Sequence, residues 1–112
     1  MTQADLEAAN RTIALKVNAA GNAAMLRKDY ATAIADYRQA LQLYHGGFFE
    51  YVTITTFRNN LAIAMGEEAL LAFNQANYAV AITEYQQALP LLSGSKKTKN
   101  YKQIQANIAL AQ

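Results

Sequence analysis

The chain has 112 residues, 53% of them hydrophobic, with one Pro and no Cys. This length suits a single domain with a core, and the scarcity of breakers favours long helices. No disulfide, thiolate metal site or cysteine nucleophile can form. The formal charge of +2 is too small to imply a polyanionic partner by itself.

The opening MTQADLEAANRTIALK carries acids where a secretory signal carries positive charge. No run approaches the roughly 18 apolar residues of a membrane span, so the expectation is a soluble, cytoplasmic chain. From Gln3 to Leu26 no Pro appears, and Leu6, Ile13, Leu15, Val17, Met25 and Leu26 sit among many alanines, which predicts a long helix. Gly21 inside it costs about 1 kcal/mol relative to Ala and is best explained by close packing. Asp29 is the expected N-cap of a second helix from Tyr30 to about Tyr44, stopped by His45-Gly46-Gly47.

Residues 48–74 mix a β-prone run, YVTITTF, with the helical NNLAIAMGEEALLAFNQ. A lone strand has no sheet to join, and the helical spacing begins at Phe57, so one helix of about 25 residues is predicted. Asn77 is then the expected cap of a fourth helix that stops at Ser93-Gly94-Ser95, and a fifth runs from about Lys99 to Gln112. All-α architecture with about five helices follows.

The organising feature is a repetition. DYATAIADYRQALQL at 29–43 returns as NYAVAITEYQQALPL at 77–91, about 48 residues later. Tyr30, Ala33, Ile34, Tyr37, Ala40 and Leu41 recur as Tyr78, Ala81, Ile82, Tyr85, Ala88 and Leu89, on the spacing of one helix face. IQANIALA at 104–111 likewise echoes FRNNLAIA at 57–64. Stacked helical hairpins produce such periods, each unit burying its apolar face against the next.

With Gly21-Asn22 in the first helix, Asp29-Tyr30 at the turn, and Ala33-Ile34, Tyr37 and Ala40-Leu41 in the second, the first copy resembles the tetratricopeptide repeat. Ala69, Ala72, Asn77, Tyr78, Ala81, Tyr85, Ala88 and Leu89 supply the second match. The resemblance implies a single helical-repeat domain with repeats at about 14–47 and 62–95 and a capping helix at about 99–112. The period exceeds the family's ~34 residues, which places the extra length in the first helix of each pair.

It also implies a concave, peptide-binding groove lined by Asn18, Asn22, Met25, Asn60, Glu67, Leu70, Phe73 and Asn74. Asn60 and Asn107 recur at matching places, either as amides that bond a peptide backbone or as ordinary polar residues of half-exposed helices. Tyr30 and Tyr37 are read as core, and adjacent Glu67 and Glu68 diverge too far around a helix to form a carboxylate pair. Lys96, Lys97 and Lys99 form a basic stretch, either an acidic-partner contact or a solubilising linker.

No nucleophile with a base, phosphate loop or metal-ligand set appears, so the expected object is a non-enzymatic protein or peptide binder with no cofactor and no nucleic-acid partner. An adaptor or co-chaperone is the leading form. Self-assembly into a homo-oligomer through the terminal helices is the alternative, suggested by Ile104, Ile108 and Leu110.

Overall fold

The structure, a computed structural model, describes residues 1–44, 51–92 and 99–112, and of 51 and 99–101 the backbone alone. Its elements are α1 (Gln3–Leu26), α2 (Tyr30–Leu43), α3 (Tyr51–Asn74), α4 (Tyr78–Ala88), a 3-10 turn (Leu89–Leu91) and α5 (Lys99–Ala111). No strand occurs among the described residues, and the order long, short, long, short, partial matches the repeat. The expected stops at His45-Gly46-Gly47 and Ser93-Gly94-Ser95 lie outside the described residues, as do Lys96 and Lys97.

The β-prone run is helical. Threonine is tolerated there because the Thr56 hydroxyl donates to the Val52 carbonyl one turn back at 3.0 Å. α4 is shorter than α2 because Pro90 has no amide to continue the ladder, and the chain tightens into the 3-10 turn instead.

Both long helices end in the same reverse turn. The amides of Asp29 and Lys28 bond the carbonyls of Ala24 and Met25 at 2.9 and 3.0 Å, and Asn77 and Ala76 repeat this with Ala72 and Phe73 at 2.8 and 3.0 Å. This turn requires a left-handed residue, and the chain places Lys28 and Ala76 there, each at φ 60, instead of glycine.

The caps are less alike than the sequence suggests. Thr2 and Asp5 form a reciprocal capping box on α1, and the Asp29 carboxylate accepts from the Thr32 amide at 3.3 Å. Asn77, expected to act in the same way, makes no side-chain cap bond. Its amide is neutral and gains less from the helix dipole, and Val80 stands where the Thr32 hydroxyl gives Asp29 a further hydrogen bond.

The chain divides within α3 into two compact units, Met1–Arg58 and Asn59–Gln112, with one motif copy in each. In the first, α1 and α2 pack antiparallel around buried Ala14, Ala24, Ala33, Ile34, Tyr37 and Ala40. Small residues allow the backbones to approach. A Cβ at Gly21 would lie 2.6 Å from Tyr37 Cε1, so the glycine is what admits the ring. The Tyr37 hydroxyl then donates to Asn22 Oδ1 at 2.6 Å. Phe57, from the first turns of α3, meets Tyr44 edge-on at a centroid distance of 5.3 Å over Ala14 and Ala40.

In the second unit Leu61, Ala62, Ala64, Met65, Ala69, Ala81, Tyr85, Ala88, Leu92 and Ile104 are buried. Not every expected core position is filled. Tyr30 and Leu41 are half-buried, and Tyr78 is 46% exposed. As the first residue of α4, Tyr78 sits at the end of its hairpin and stacks edge-on with Phe73 at 5.4 Å.

Candidate functional site

The second unit contains a recess of about 110 Å³. Ile63, Gly66, Glu67 and Leu70 enter it from one face of α3, since positions i, i+3, i+4 and i+7 share a side of a helix. Gln103, Ile104 and Asn107 enter from α5, and Tyr85 and Leu92 close the base. Gly66 keeps the floor open: a Cβ there would find only Ile104 Cδ1, at 3.9 Å.

A directed series of hydrogen bonds crosses this recess. Gln103 Nε2 donates to Asn107 Oδ1 at 3.0 Å, and Asn107 Nδ2 donates to the Tyr85 hydroxyl at 2.9 Å. The series ends at that hydroxyl, whose own proton is taken by no described residue. Burial pushes the Tyr85 pKa up and the Glu67 charge adds to this, against the opposing bond from Asn107. The group therefore stays a neutral donor. Glu67 itself is exposed beside it.

The two copies satisfy their central tyrosines differently. Tyr37 uses Asn22 from its own hairpin, but the equivalent of Asn22 is Leu70, so Tyr85 takes its partner from α5. That exchange is what combines an apolar wall with polar groups. It was readable in the sequence as the replacement of Asn22 by Leu70 opposite an unchanged tyrosine.

A carboxyl pair also lies across the α3–α4 hairpin. Burial, a hydrogen bond with Glu68 and repulsion from it push the Glu84 pKa up to about 7. Glu84 Oε2 is buried without a hydrogen-bond partner. The adjacent Glu67 and Glu68 do diverge, but Glu68 pairs with a residue of the opposite helix, which the linear spacing does not show. Among the described residues no group of three or more His, Cys, Asp or Glu is placed to hold a metal ion.

Of the residues expected in the groove, Glu67 and Leu70 line the recess, while Asn74 is exposed and Phe73 is engaged with Tyr78. Asn60 is half-buried in α3 outside the lining. In the first unit Asn18 and Met25 are half-buried, and Asn22 is bonded to Tyr37. Lys99 begins α5. Ile63, Gly66, Tyr85, Gln103 and Ile104 were not among the groove residues read from sequence.

A repeated pair of long and short helices followed by a fifth helix defines a helical-repeat class of protein. Within it, the bacterial transcriptional activator domain family matches residues 10–104, and the chain belongs to that family. Domains of this family are often involved in protein or DNA interactions in transcriptional activators. No curated protein and no solved structure matches the chain. Among the described residues no helix is long and apolar enough to cross a membrane.

Proposed function

We propose that this chain is a non-enzymatic, tetratricopeptide-type interaction domain of a transcriptional regulator, and that it binds a segment of a partner polypeptide on the second unit. The observation that supports this reading is the recess, where Ile63 and Leu70 of α3 with Leu92 and Ile104 surround one buried hydroxyl donor. Ligand sites combine mostly apolar linings with a few oriented polar groups in this way. Glu67 and Leu70 form its wall, and Phe73 and Asn74 extend the same helix toward the turn. Asn60 stands in this proposal as a contact on the same unit outside the recess, while Asn18, Asn22 and Met25 lie on the first unit and are not part of this site.

The family also includes DNA among its partner classes, so the sequence-based expectation against nucleic acid is not carried forward. A polypeptide is favoured at this site because the charge in its lining is acidic: Glu67 repels a phosphate backbone. A co-chaperone role has no support from the family and is not part of the proposal.

The test places a photo-crosslinking residue at Leu70 and, as a control, at Leu26, which is 88% exposed on the other unit. Polypeptide adducts from position 70 that disappear in the Gly66→Leu variant support the reading. Adducts to DNA alone, or adducts unaffected by filling the recess, overturn it.

Self-assembly is a second reading with its own observation. Leu110 is 73% exposed near the end of α5, two residues beyond a half-buried Ile108. Light scattering that finds a concentration-independent monomer rejects it.

A further inference from the structure

The recess also specifies the chemistry of its occupant, an inference that rests on the polypeptide-binding reading above. Its volume of 110 Å³ is somewhat below the ~150 Å³ at which an apolar protein cavity takes up benzene. A branched aliphatic side chain fits that space and an indole does not. Ile63, Leu70, Ile104 and Leu92 supply the walls for such a group.

Two polar features set what must stand beside it. Tyr85 is 1% exposed, lines the recess and accepts from Asn107 through its hydroxyl, which leaves the hydroxyl proton for an acceptor that enters the recess. A backbone carbonyl adjoining the inserted side chain meets that need without burying a charge. Glu67, exposed in the same lining, is the ionised group there. Among the described residues Glu67 is the one charged side chain in the lining.

We propose that the recess between α3, α4 and α5 takes one Leu, Ile or Val side chain of a partner polypeptide whose neighbouring residue is Arg or Lys. The aliphatic group fills the apolar space, the Tyr85 hydroxyl donates to the adjoining carbonyl, and the cation pairs with Glu67. An acidic segment is disfavoured at the same place by that carboxylate.

The test is an NMR titration of the isotope-labelled full chain with three capped tetrapeptides, acetyl-Ala-Leu-Arg-Ala-amide and its Leu-Glu and Gly-Arg counterparts. The Leu-Arg peptide is expected to shift the amides of Gly66, Glu67 and Ile104. It should bind roughly two- to fivefold tighter than the Leu-Glu peptide, the range that an exposed ion pair contributes. The Gly-Arg peptide should leave those amides unshifted.

Glu67→Gln, a change at an exposed position, should erase the preference between Arg and Glu while Leu-dependent shifts persist. Gly66→Leu should abolish them by filling the space from within. Equal affinity for the Leu-Arg and Leu-Glu peptides, or shifts mapping away from the recess, would overturn the proposal. If the peptides fail in this way while crosslinking from position 70 still captures a polypeptide that Gly66→Leu releases, only the assigned chemistry falls. Failure of both removes the binding site itself.

Discussion

Gly21→Ala separates close packing from helix propensity. Alanine is favoured over glycine in a helix interior by about 1 kcal/mol, so propensity alone predicts a more stable protein. The structure predicts the reverse. The added Cβ would lie 2.6, 2.8 and 3.1 Å from three carbons of the Tyr37 ring, which is 2% exposed and tied to Asn22 through its hydroxyl. Neither the ring nor the helix can yield without losing contacts, and overpacking of this kind costs about 1–3 kcal/mol. The net expectation is a loss of up to about 2 kcal/mol, seen as a lower urea midpoint at unchanged slope.

Gly66→Ala is the internal control, because its Cβ meets only Ile104 Cδ1, at an ordinary 3.9 Å. That variant should gain up to about 1 kcal/mol. If both alanine variants are stabilised equally, Gly21 is not needed for the approach of α1 to α2 and the packing account fails.

Other consequences follow from the same geometry. Lys28→Gly and Ala76→Gly, at the two left-handed turn positions, should each stabilise by about 0.5–1 kcal/mol; a lower melting temperature in both would show that the strain is not there. Glu84 holds its proton up to about pH 7 when folded and releases it from 4.5 when unfolded, so stability is greatest below pH 4.5 and falls as pH rises to 7. Glu84→Gln should flatten that decline and stabilise the protein at pH 8 by on the order of 1 kcal/mol after solvent screening; an unchanged pH slope refutes the pairing with Glu68. Asp29, held below its usual value of 3.8 by its bonds to Thr32, works in the opposite sense: its contribution is present above pH 3.8 and is lost in stronger acid. Asp29→Ala should therefore lower the melting temperature at pH 7 more than Asn77→Ala, and equal shifts would contradict the cap geometry. Ala33→Leu and Ala81→Leu, both at fully buried positions, should cost about 1–3 kcal/mol each, and unchanged melting temperatures would count against these interfaces.

The elements were legible because local chemistry marks them, with Asp29 as a cap and one face shared by Ala33, Tyr37 and Ala40; the end of α4 at Ala88, set by Pro90, falls earlier than the expected stop at Ser93-Gly94-Ser95. The YVTITTF run was settled by its helical neighbour, and the Thr56 back-bond shows how the β-branched residues fit. The site was less legible because it depends on pairs that no linear period relates. Tyr85 and Asn107 lie on different helices and meet only once α5 packs, and Glu68 finds Glu84 only across the hairpin. Glu67 and Leu70 were identified because they follow the helix face; Gln103 and Ile104 were not, since α5 was read as a solvating cap. The caps at Asp29 and Asn77 looked interchangeable, and the missing hydroxyl at position 80 separated them.

The central claim is that the second unit holds a polypeptide in the recess beneath Leu70. Photo-crosslinking from position 70, compared between the natural chain and Gly66→Leu with folding checked by circular dichroism, tests it most directly. The account predicts polypeptide adducts in the natural chain and their loss in the folded variant. Adducts that persist undiminished once the recess is filled, or that involve only DNA, would contradict it.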